Sequence, residues 1–103
     1  MSLDFDLHKD DKIVFQSNIT HNVSSMWQKA GCYEALYLSD GKCAINILPS
    51  IEDAICDMAL NRKSYKAMYP PNVWGSYEHA LEFLQYVYEA CTNFPTAVIE
   101  IHK

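Results

Sequence analysis

The chain has 103 residues, half of them apolar and 13% aromatic, which is enough for one hydrophobic core and excludes a disordered tail as its main state. Eight Lys and Arg stand against 13 Asp and Glu for a formal net charge of -5, and the basic residues are scattered apart from Arg62, Lys63 and Lys66, so a sequence-independent grip on nucleic-acid phosphates is not expected. No apolar run approaches bilayer length and the opening MSLDFDLHKDD lacks a signal-peptide pattern, so the expectation is a single cytoplasmic domain over 1–103, without membrane attachment.

In chain order, Leu3, Phe5 and Leu7 alternate with Asp4 and Asp6, Lys9 to Asp11 interrupt, and Ile13, Val14 and Phe15 follow. This predicts a β-hairpin with a polar turn. Because the second run is apolar at successive positions it is expected inside the sheet, whereas the first run fits a loose arm equally well. In SNITHNVSSMWQKAG, Asn18 or Thr20 can cap a helix that carries Val23, Met26, Trp27 and Ala30 on one face, and Gly31 supplies a left-handed stop. Tyr33, Leu36 and Tyr37 keep helical spacing for one more short turn before SDGK breaks it. Further on, Ser50 is placed to cap a helix with Asp53 three residues inside it, and Ile51, Ala54, Ile55, Met58 and Ala59 form its buried stripe. Arg62, Lys63 and Lys66 suit its negative end or begin a short continuation, and Pro70 and Pro71 close it ahead of a PPNVWG loop.

The best-specified stretch is WGSYEHALEFLQYVYEAC, from Trp74 to Cys91. Tyr77, Ala80, Leu81, Leu84, Val87, Tyr88 and Cys91 fall at steps of three and four, with Phe83 off that stripe. Ser76 is a good N-cap, Glu78 complements the helix dipole, and Asn93 and Pro95 end the helix. Thr96 to Ile101 has the β-branched character of a last strand. The fold class expected is therefore α+β, with a small antiparallel or mixed sheet of two to three strands, element order β-β-α-α-α-β, and helices stacked on one face.

Chemistry-bearing residues concentrate at two helix starts. Asn18, Thr20, His21 and Asn22 lie between a strand and a helix, and Trp74, Ser76 and Tyr77 precede the longest helix. If these starts converge, they form a polar pocket with an aromatic wall, suited to a small anionic or nucleotide-like ligand. The plainer reading makes them caps and loop-fixing hydrogen bonds, with Trp74 as a lid on the core. His21, with His79 as its one evident companion, would need an orienting carboxylate to serve a small hydrolase or transferase. No G-x-S-x-G, H-E-x-x-H, P-loop or dinucleotide pattern accompanies it. Cys32, Cys43, Cys56 and Cys91 include no C-x-x-C pair, so neither a structural metal nor a cofactor is expected. Seven tyrosines exceed what one core needs, since each hydroxyl seeks an edge, and this favours a homodimer or a partner protein.

Three short motifs stand out together: N-I-T-H-N at 18–22, A-G-C-Y-E-A-L at 30–36 and W-G-S-Y-E at 74–78, followed by the aromatic helix and Ala90-Cys91. The combination resembles a family of small proteins of about this length from bacteriophage and bacterial genomes, to which no activity is attached. It covers residues 17–101 and implies a provenance rather than a reaction. The chain departs from that pattern at Asn72-Val73-Trp74, where the family has a glycine before the tryptophan. The favoured expectation is thus a small acidic interaction or accessory protein, phage-encoded by resemblance, that binds a partner protein or itself; small-ligand binding and His21 catalysis are the alternatives.

Overall fold

The computed structural model describes residues 2–68 and 76–103; the expected PPNVWG loop and Trp74 lie outside the described residues. Strand β1 (Ser2–Lys9) and strand β2 (Lys12–Thr20) form the expected antiparallel hairpin. Asp10 and Asp11 make its two-residue turn with φ of 54° and 63°. Two successive left-handed residues give a turn whose twist matches that of the strands, and aspartate tolerates the conformation better than most side chains. Strand β3 (Val98–His102) pairs antiparallel with the other side of β1, so the sheet runs β2-β1-β3.

The centre of the sheet is therefore β1, and β2 is an edge, the reverse of the expectation. Among the described residues helices cover only one face of this sheet, and a strand in such a sheet alternates whether central or not. Leu3, Phe5 and Leu7 are fully buried on the helix side, and Asp4, Asp6 and His8 face outward. The apolar run Ile13–Phe15 has a different cause: the register slips between Leu7 and His8, and this bulge turns Ile13 outward to 51% exposure.

Between the strands lie α1 (Ser24–Ala30), α2 (Tyr33–Tyr37), α3 (Leu48–Leu60), α4 (Arg62–Lys66) and α5 (Tyr77–Asn93). Short 3-10 turns at His21–Val23 and Ala44–Ile47 lead into α1 and α3. Gly31 ends α1 at φ 83°, as its position implied. Helix α3 begins two residues before the expected Ser50 cap, with Pro49 in its first turn and no side-chain cap; the ring fixes φ for a helix start and lacks the amide that would go unpaired there. Asn18 is not a cap either, because it sits within β2 and its amide donates to Ser2 Oγ and Asp4 Oδ1.

One continuous cluster of buried residues joins the inner face of the sheet to α1, α2, α3 and α5. Trp27, fully buried, stacks obliquely on Phe83 at 5.8 Å. The buried stripe of α5 consequently includes Phe83 and Ala90, while Leu81 and Tyr88 are half-buried on the opposite flank. Steps of three and four fit either flank of the Ala80–Leu84–Val87–Cys91 row, and the position of Trp27 decides between them. Tyr77 Oη, also buried, donates to the Met58 carbonyl at 2.8 Å. That carbonyl belongs to the last turn of α3, where no backbone amide of the helix remains to serve it.

Candidate functional site

The two edges of the sheet are treated differently. Along β3 the segment 40–44 closes the ladder. Gly41 N–H donates to Ile99 O, Ile99 N–H to Lys42 O and Ala44 N–H to Ala97 O, each at 2.8 Å, and Asp40 Oδ1 takes the Ile101 amide at 2.8 Å. Along β2, no backbone bond from any other described segment reaches the outer edge. An unpaired edge is a template for another strand, and proteins ordinarily blunt one with charge, proline or a covering loop. From Ile13 to Thr20 the sequence IVFQSNIT has no charged residue and no proline.

Beside this edge runs an open groove of about 400 Å³. Residues 15–20 of β2 line one side, and His79, Glu82, Phe83 and Tyr86 of α5 line the other. The two sides meet because α5 buries Phe83 against Trp27 beneath the sheet, which leaves Tyr86, one turn further along the helix, 54% exposed at the rim. The groove thus has an amide-rich strand on one side and aromatic surface on the other. It can take an extended chain that bonds to β2 through its backbone and lays alternate side chains against Phe83 and Tyr86.

The residues singled out from sequence are distributed as follows. Asn18 and Thr20 line the groove; Thr20 Oγ1 also accepts the Asn22 amide at 3.2 Å and so caps the 3-10 turn. His21 is turned away into a half-buried contact, its Nδ1 2.8 Å from Tyr37 Oη and the rings tilted at 5.6 Å. Burial pushes the Tyr37 hydroxyl up to about 12, with Tyr33, stacked at 4.5 Å, adding to the shift. That phenol stays protonated and can donate to Nδ1; no carboxylate among the described residues orients the ring. Ser76 caps α5 by accepting the His79 amide at 3.4 Å. Tyr77 is committed to the core. Of the two helix starts, then, the strand end that precedes the first and His79, one turn into α5, share the groove, while His21, Ser76 and Tyr77 do not line it.

The open face of the sheet carries a second polar cluster. Glu100 Oε1 lies 2.6 Å from His102 Nε2, and Oε2 lies 2.6 Å from His8 Nε2, the latter without hydrogen-bond alignment. Glu100 holds the His102 imidazole above its usual range, chiefly through this hydrogen bond. Burial, reinforced by Asp4, raises Asp6. Among the described residues no set of three or more His, Cys, Asp or Glu is arranged to hold a metal ion, and no helix is long and apolar enough to cross a membrane.

The groove wall was not legible as a site from sequence, since Phe83 read as an aromatic off the buried stripe and Tyr86 as one of the surplus tyrosines. The available signal was the uncharged stretch Ile13–Thr20 in a chain where one residue in five is charged. No family model, curated protein or solved structure matches the chain.

Proposed function

We propose that this protein is a binding module that accepts an extended polypeptide strand along the free edge of β2, with the α5 wall of the groove selecting its side chains. The observation that carries this reading is the contrast between the edges: segment 40–44 makes four hydrogen bonds to β3 and the residue before it, whereas β2, nine residues long and uncharged past Lys12, receives no backbone bond on its outer edge from any described segment. Each backbone hydrogen bond added at such an edge contributes on the order of 0.5–1.5 kcal/mol, so a pairing of four to six bonds gives a usable affinity without any deep pocket. The reading keeps the interaction or accessory role expected from sequence and the phage provenance the motifs suggest. An anionic small ligand is supported less well, since the groove lining holds Glu82 and no Lys or Arg. Catalysis at His21 is supported less well too, because its Nδ1 is occupied by Tyr37.

Selection from a display library of random ten-residue peptides tests the proposal. Retained sequences should alternate apolar residues with period two, and should lose binding to an Ile13→Lys/Gln16→Lys variant that places like charges along the edge while leaving the core untouched. Retained peptides that bind this variant as well as wild type would remove the reading.

A further inference from the structure

We infer that the strand accepted by β2 is the β2 of a second copy of this chain, paired antiparallel about a two-fold axis at Ser17 so that two sheets join into one of six strands. This rests on the strand-binding reading above and names its occupant. Three features of the molecule support it.

The first is closure. Among the described residues each copy has one open edge, because segment 40–44 covers β3. Pairing β2 with β2 consumes both open edges at once, so the assembly stops at two and cannot grow into a fibre.

The second is register. Facing residues of an antiparallel pair share a face of the sheet, so a two-fold axis must pass a residue facing itself. With Ser17 on the axis, half-buried Phe15 meets buried Ile19 of the second copy on the helix side, twice over, and exposed Gln16 meets exposed Asn18 on the open side. Apolar faces apolar and amide faces amide. With Gln16 on the axis instead, Asn18 would meet Val14, and Ile19, which faces the helices, would meet Ile13, which the bulge turns outward.

The third is charge. Two copies of net charge -5 repel over most of their surface, yet Ile13–Thr20 is neutral, so the contact forms where repulsion is least. The open groove that the described residues form beside β2 leaves room for the incoming strand, and Tyr86 of each copy supplies a cover for it.

Sedimentation equilibrium of the full chain decides the matter. Wild type is expected at twice its 11.8 kDa mass in the micromolar range, and Ile13→Lys/Gln16→Lys at the single-chain mass with an unchanged far-ultraviolet spectrum. The register is read separately, in case that variant misfolds: with Cys43→Ser/Cys56→Ser as background, Q16C and N18C proteins mixed and oxidised should give a cross-linked dimer that neither gives alone. A wild type that stays at the single-chain mass at every concentration, a dimer that survives the lysine pair, or a mixture that fails to cross-link overturns the inference. Peptides captured at β2 by a chain that is otherwise monomeric would reject the second copy as occupant and leave the strand-binding reading standing; failure of both assays would reject both.

Discussion

Replacing Tyr77 by phenylalanine separates a structural from a ligand-binding role for the start of α5. The ring is 6% exposed and packs against Tyr65 at 6.4 Å, and phenylalanine keeps that volume. What it removes is the 2.8 Å hydrogen bond to the Met58 carbonyl. No backbone amide of α3 can take over, and the site is buried from water, so the carbonyl is left without a donor. An unsatisfied buried acceptor costs about 1–3 kcal/mol, more than the net worth of an average hydrogen bond. For a domain of this size each kcal/mol moves the melting midpoint by about 4–8 °C, so a fall of roughly 5–20 °C is expected. Urea unfolding followed by circular dichroism should show the same loss as a lower midpoint at unchanged slope. Tyr86→Phe, at a hydroxyl on a 54% exposed residue, serves as the control and should lie within the error of wild type. A Tyr77→Phe protein as stable as wild type would refute the assignment of that hydroxyl as the cap of the α3 carboxyl end.

Other consequences follow from burial and backbone geometry. Burial raises the Cys32 and Cys91 thiols from 9.0 to about 12 and the Tyr37 phenol from 10.0 to about 12. A group whose folded value lies above its unfolded value contributes stability that is complete below the unfolded value and disappears as pH rises toward the folded one. Stability should accordingly hold up to about pH 9 and then fall by about 1.4 kcal/mol per pH unit for each thiol, with the phenol joining from about pH 10; a urea midpoint that does not change between pH 8 and pH 11 would contradict this. Cys43 and Cys56 are exposed and Cys32 and Cys91 buried, so mass spectrometry after brief iodoacetamide treatment should find two labelled thiols in the native protein and four in urea; rapid native labelling of all four would show the core to be open. Asp10→Asn/Asp11→Gly should raise stability by about 0.5–1 kcal/mol, since both positions have positive φ and the change also removes two adjacent like charges; a lower midpoint would mean that the turn is not the one described.

The helices and the hairpin were legible because their signals are local. Gly31 at a left-handed position, Ser76 ahead of an acidic first turn, and alternating Leu3, Phe5 and Leu7 each specify a conformation within a few residues. The centrality of β1, the flank of α5 that is buried and the sealing of β3 depend on partners far away in sequence. Phe83 belongs to the core because Trp27 is next to it, and β2 becomes an edge because β3, more than 75 residues later, takes the other side of β1. The same distinction applies to the candidate site. Asn18 and Thr20 stood out as polar residues between a strand and a helix, but their placement beside His79 and Tyr86 arises from the crossing of β2 and α5, which no spacing along the chain encodes. His21 and Tyr77 stood out for the same local reasons and are held elsewhere by Tyr37 and Met58.

The most direct test of the strand-binding edge is amide hydrogen exchange, resolved residue by residue over Lys12–Thr20. Amides of β2 that point away from β1 should exchange rapidly in dilute protein and become protected as concentration rises or a selected peptide is added, while those bonded to β1 keep their rates. Outward amides that exchange equally fast under all conditions, or protection that develops along β3 instead, would contradict the account.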